Sequence, residues 1–239
     1  MKKTVIAALL AGALTTSMHA NAAPQFFFGE DLGLGESIAL SSWANSSAAQ
    51  ASFLSNLTGV GTETFESFAT STGAPLDLVF PGAGTATLSG NGGVRTVASG
   101  TTNGVGRYAT SGTNFWEASS IFSISFTNPI AAFGFFGIDI GDYNGQVTVT
   151  TNHGDVFNIG NTVNGPGGSV LFWGIIDVEK PFTSLTFGNT ASGADFFAFD
   201  DMTIGTAQQV ITDVPEPGML ALLGIGLAGL GALRRRRQS

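Results

Sequence analysis

Between residues 76 and 204 the chain offers eight apolar or alternating stretches of four to nine residues, separated by glycine, asparagine and proline clusters. They are shorter than the usual helix of about 11 residues. Several alternate with period two. In 121–126, Phe122, Ile124 and Phe126 share one face, and Ser123 and Ser125 share the other. In 182–187, Leu185 and Phe187 stand against Ser184 and Thr186. The expected strands are 76–80, 85–88, 121–126, 132–138, 146–151, 170–176, 182–187 and 196–204. This pattern, with 34 glycines to turn the chain, predicts an all-β protein: two packed sheets, a sandwich or jelly roll. No fixed-period repeat supports a solenoid or propeller. One helix is expected at 45–57, capped by Asn45, Ser46 or Ser47, striped by Phe53, Leu54 and Leu57, and ended by Gly59 and Gly61. The glycine-rich stretch 82–112 reads as long exposed loops or edge strands.

Composition removes several classes of function. The chain has no cysteine, which excludes a disulfide framework, a thiolate zinc site and a cysteine nucleophile. Residues 24–213 hold three basic groups, Arg95, Arg107 and Lys180, against sixteen acidic ones, a net charge of −13. Such a surface opposes nucleic acid and anionic lipid, and is compatible with cations or neutral sugars. No G-x-S-x-G, H-E-x-x-H or phosphate-loop pattern occurs, and His153 sits in a turn-like Asn-His-Gly-Asp. No catalytic residue is therefore assigned. Glycoside hydrolysis needs only two carboxylates and stays open as a glycan-processing alternative.

The two ends read as addresses. Residues 1–22 have a secretory pattern: Lys2 and Lys3, an apolar run at 5–14, and Ala20-Asn21-Ala22 as a cleavage site. The exported domain would be 23–206, with a linker at 207–213. At the other end, Val214, Pro215, Glu216 and Pro217 precede sixteen uncharged residues, 218–233. Arg234, Arg235, Arg236 and Arg237 follow. Sixteen helical residues rise roughly 24 Å, a marginal transmembrane helix against about 30 Å of hydrocarbon. The arginines favour the cytoplasmic side, which leaves the domain outside.

This end, 214–239, resembles the PEP-CTERM sorting signal of Gram-negative bacteria. The resemblance implies an exosortase, a membrane protease-transpeptidase, as partner. It also implies transient anchoring in the inner membrane, removal of the helix, and delivery to the cell surface or exopolysaccharide matrix. Two prolines suit a recognition element, because they hold the segment extended with one carboxylate presented. A non-catalytic structural or adhesive role is expected.

The exported layout also resembles galactose-binding-like jelly rolls, through Phe65-Glu66-Ser67-Phe68 and Phe199-Asp200-Asp201-Met202. That resemblance implies a structural calcium ion at Glu66 and Asp201, and a calcium-supported carbohydrate-binding module as the alternative function. Plain alternation over 196–204 places Asp200 with Met202 and Ile204, and Asp201 with Phe197 and Phe199. Buried there, either carboxylate needs a proton, a donor or a metal; at the strand's end it would be solvated. The segment 139–145, Asp-Ile-Gly-Asp-Tyr-Asn-Gly, reads as a hairpin turn or an oxygen-rich cation loop. Trp116, Trp173 and Tyr143 are candidates for stacking on surface glycan, or else core rings.

Overall fold

A computed structural model describes residues 23–119, 121–191 and 196–211. The secretory pattern at 1–22 and the segment 214–239 lie outside them. The chain order is β1 (Gln25–Asp31), α1 (Ala44–Leu54), β2 (Thr62–Glu63), β3 (Leu76–Phe80), β4 (Gly84–Gly90), β5 (Gly93–Thr96) and β6 (Asn114–Ser119). Then come β7 (Phe122–Ile130), β8 (Ala132–Ile138), β9 (Val147–Thr151), β10 (Val156–Asn158), β11 (Val170–Ile176), β12 (Phe182–Asn189) and β13 (Phe196–Gly205). All eight expected strands are present. The sequence reading missed β1, β2, β5, β6 and β10, which are short, glycine-interrupted or lacking in alternation.

Two antiparallel sheets form. One runs β1-β11-β8-β13-β6-β5, with β2 also on β13; the other runs β10-β9-β12-β7-β4-β3. From β6 to β13 the chain crosses between sheets at every step except the β9–β10 hairpin. The two four-strand orders, β6-β13-β8-β11 and β7-β12-β9-β10, are the winding of a jelly roll. The β9–β10 connection is the turn expected around His153. Residues 139–145 are not a hairpin: β8 and β9 lie in different sheets, so this segment is a crossover.

Phenylalanine fills the space between the sheets. Phe122 of β7 stacks on Phe187 of β12 with centroids 4.2 Å apart, and Phe135 of β8 stacks on Phe199 of β13 at 4.6 Å. Phe187 meets Phe135 edge-on at 5.6 Å, locking one sheet to the other.

The seven-stranded sheet is covered on its outer face as well, which is why β8 and β11 are buried along their whole length. The cover is α1 with the segments after β1 and between β5 and β6, with Phe53 at its centre. Phe53 lies over Gly134 of β8 and Gly174 of β11, which are register partners. A Cβ on Gly174 would come within 2.9 Å of Phe53 Cδ2, and one on Gly134 within 2.9 Å of Phe53 Cε1. The two glycines are the slot into which the ring drops, flanked by Phe27 and Phe172.

The helix starts differently from expectation. None of Asn45, Ser46 and Ser47 caps it; Trp43 is the N-cap residue and supplies no side-chain hydrogen bond. Asp31, at the end of β1, accepts from the Asn45 N–H at 3.2 Å and the Ser46 N–H at 2.8 Å. An acid from another element thus satisfies two of the orphan donors and complements the helix dipole. The helix also ends earlier, at Leu54. Residues Ala207–Gln209 form a 3-10 turn, and Gln209 donates to the Gly59 and Pro81 carbonyls. The Ile211 N–H donates to the Asn56 carbonyl. The first part of the expected linker is thus docked on the domain.

Candidate functional site

The chemically dense part of the domain is the loop between β5 and β6 and what holds it on the outer face of the seven-stranded sheet. The holding groups are carboxylates. β13 is bulged: its register on β8 shifts between Asp200 and Thr203, and Asp201 has φ of 48°. The extra residue reverses the parity of the strand. Phe197, Phe199, Met202 and Ile204 all face the inter-sheet core, and Ala198 belongs to the outer cluster. The alternation expected for Asp200 and Asp201 therefore fails at the bulge, and both carboxylates turn toward the loop.

Asp200 is fully buried. Its Oδ2 accepts from the Thr110 N–H at 2.7 Å, the Thr110 hydroxyl at 2.9 Å and the Ser111 N–H at 3.2 Å. Its Oδ1 accepts from the Asp201 N–H at 2.8 Å. Asp201 accepts from the Ser111 hydroxyl at 2.6 Å and the Thr110 hydroxyl at 3.2 Å. Burial, and then the neighbouring Asp201, push the Asp200 carboxyl well above the ordinary range; burial also raises Asp201. Glu66 takes the next stretch, accepting from the Thr113 N–H at 2.8 Å and the Asn114 N–H at 2.5 Å. Glu66 and Asp201, the sequence candidates for calcium, thus converge on residues 110–114 as acceptors of protein hydrogen bonds.

A different trio meets the geometric condition for a cation. Among the described residues, ligand atoms of Glu36, Asp139 and Asp142 all lie within 4.8 Å of one another. Three carboxylates could supply part of the six to eight oxygens calcium takes. Asp139 and Asp142 belong to the oxygen-rich segment singled out in the sequence. Glu36 was missed, because it arrives from the loop after β1. Asp139 Oδ1 accepts from the Gly168 N–H at 2.9 Å, and Arg107 Nη1 lies 3.5 Å from its Oδ2. Arg107 is shared with Glu117, whose Oε2 is 3.0 Å from Nε. Burial pushes the Asp139 carboxyl up to about 8; Gly168 opposes this, Asp142 and Glu36 add to it, and Arg107 is outweighed. Glu36 is raised as well, by burial and then by Asp142.

Between the unfolded aspartate value near 3.9 and about 8, folded Asp139 keeps a proton that the unfolded chain has released. Stability from this group is complete below that window and is lost as pH rises through it. The melting temperature should therefore fall from pH 5 to pH 9, and Asp139→Asn should flatten the profile. Asp200 and Asp201 act in the same direction, so the difference between the two proteins isolates Asp139. Calcium chloride at pH 8 separates the two ways of neutralising the corner. A melting temperature raised in the wild type and not in Asp139→Asn requires a bound cation; an unchanged one assigns neutralisation to protons.

The aromatic candidates are placed otherwise than a sugar platform needs. Trp116 and Trp173 are buried in the inter-sheet core, with 0% and 2% of their surface exposed, and Tyr143 packs partly buried against that core. β6 and β11 are interior strands of their sheet, so their indoles go to packing. Trp43, which the sequence reading passed over, is the tryptophan that reaches the surface. Its only sequence signal was its position among polar residues just before the helix.

Residues 213–237 match the PEP-CTERM protein-sorting motif. The chain carries a PEP-CTERM sorting signal. The matched segment contains Val214, Pro215, Glu216, Pro217 and the four arginines quoted above. A signal of this kind marks export and processing by exosortase, a membrane protein. Among the described residues no helix is long and apolar enough to cross a membrane, and the expected spanning segment 218–233 lies outside them. Among solved structures, the K2 cleaved adhesin domain of Lys-gingipain is similar at 16% identity and a TM-score of 0.35, covering 62% of this chain and 98% of that one. No curated protein matches the chain.

Proposed function

We propose that this PEP-CTERM chain is an exported, exosortase-processed protein with a non-catalytic structural or adhesive role at the cell surface or in the exopolysaccharide matrix. The observation that carries the reading is the sorting motif at 213–237, placed directly after an acidic jelly-roll domain. The charge of −13 over residues 24–213 keeps such a domain soluble and away from anionic lipid once the basic tail is gone. His153 lies in the β9–β10 turn with Nε2 2.9 Å from the Pro181 carbonyl, an arrangement that serves the turn.

Intact-mass measurement of the surface-exposed protein tests this. In a strain with the processing enzyme, the mature protein should lack the Arg234–Arg237 cluster. Replacing Pro215, Glu216 and Pro217 with alanine should leave the full tail attached and the protein in the membrane fraction. Recovery of the wild-type surface protein with all four arginines would overturn the proposal.

The second reading, a carbohydrate-binding domain, is favoured by one observation: an uncharged hollow beside Trp43.

A further inference from the structure

We infer that the hollow between residues 39–43 and 97–112 binds a single neutral sugar residue, as the end or branch of a surface polysaccharide. The inference deepens the matrix reading above and rests on it for the source of the glycan.

The site has a volume of about 210 Å³ and is walled by Leu40, Trp43, Val97 and Tyr108, with Ser41 and Ser99 at its rim. That is below the ~300–1,000 Å³ of pockets for drug-sized ligands. It suits one ring, and not a chain lying lengthwise. Among the described residues no charged side chain lines it, although residues 24–213 carry sixteen acids. A cationic ligand would find no counter-charge in the walls, and an anionic one would face the field of the whole domain.

The walls mix two kinds of surface. Trp43 is a partly exposed indole, with a broad apolar face and one N–H donor. Around it stand the exposed hydroxyls of Ser41, Ser99 and Thr101. A pyranose presents the matching pair, a C–H face for the ring and hydroxyls for the rim. A purely apolar ligand would strip water from the rim hydroxyls without replacing their hydrogen bonds.

The hollow is held open before any ligand arrives. Tyr108 donates its hydroxyl hydrogen to the Gly168 carbonyl at 2.9 Å and accepts from the Leu40 N–H at 3.1 Å, tying the segment that carries Leu40 to the loop before β11. Thr110, which also lines the hollow, is fixed by Asp200 through its N–H and its hydroxyl. A site ordered in advance loses less entropy on binding. The carboxylates described above thus position the sugar site without touching the sugar.

Tryptophan emission reads the test directly, because Trp116 and Trp173 are buried and Trp43 is not. The purified domain is titrated with methyl glycosides of glucose, galactose, mannose and N-acetylglucosamine. Glucuronate serves as the charged comparator and cyclohexanol as the apolar one. At least one neutral glycoside should give a saturable emission change and protect Trp43 from acrylamide quenching, with glucuronate and cyclohexanol at least about tenfold weaker. Calorimetry should show the same sugar lost in Trp43→Ala. It should also be lost in Ser99→Phe, which fills the hollow from an exposed rim position and keeps the wild-type melting profile. No saturable change with any neutral glycoside overturns the inference, as does equal binding by Ser99→Phe or tighter binding of cyclohexanol. Removal of the sorting tail is read by mass alone, so the sugar site and the sorting proposal fail separately.

Discussion

Gly174→Val is expected to lower the melting temperature of the domain by roughly 6–20 °C. The backbone at Gly174 is ordinary strand, so valine meets no conformational barrier there. What it meets is Phe53, whose Cδ2 stands 2.9 Å from the position of the new Cβ. Phe53 is fully buried and in contact with Phe27 and Phe172. Expelling it costs about 3–5 kcal/mol, the range for deleting a buried phenylalanine. In a domain of this size each kcal/mol is worth about 2–4 °C. Phe53→Ala alone should cost a similar amount. The double variant is the informative one: with the ring gone, valine has room, and the two losses should be strongly non-additive. Simple addition of the two effects in chemical denaturation would show that Phe53 is not seated over Gly174.

The second large effect is at Asp200. Asp200→Ala should destabilise the domain by about 3–5 kcal/mol, because it strands the half-buried N–H groups of Thr110 and Ser111 and removes the acceptor for the Asp201 N–H. Asp200→Asn should cost much less. Its one carbonyl oxygen can still accept from Thr110 and Ser111, and the repulsion with Asp201 disappears. The pH dependence separates the two roles of the carboxylate. Its pKa is raised in the folded state, so stability from this group is present at low pH and declines as pH rises above the unfolded value. Asp200→Asn should therefore compare best with the wild type at pH 9 and worst at pH 5. Limited proteolysis should find the loop 97–113 newly cleavable in Asp200→Ala and not in Asp200→Asn. Equal stability of wild type and Asp200→Ala would remove the carboxylate from its place as the anchor of that loop.

Both effects follow from features that were only half visible in the amino-acid order. Phe53 stood out as part of a helical stripe, and Gly174 lay unremarked inside the expected strand 170–176. Nothing local said that the ring falls on the glycine. The aspartate pair was legible as a buried-acid problem with few basic partners available. Its solution is a bulge that reverses the strand's parity, and a bulge has no marker in a run such as Phe-Phe-Ala-Phe-Asp-Asp-Met-Thr-Ile. Alternation read straight through therefore put Met202 and Ile204 on the wrong face.

Local physics wrote the strands, the all-β class and the sorting tail into the residue order. Period-two burial, proline stiffness and a block of arginines act over a few residues and need no partner to be recognised. Folding in space settled matters of another kind: Asp31 as the helix cap, Glu36 beside Asp139 and Asp142, and Trp43 at the surface while Trp116 and Trp173 are enclosed. Each depends on which distant segments share a sheet face. That is set by the winding of the two sheets and by the burial they achieve together, which no short window of sequence contains.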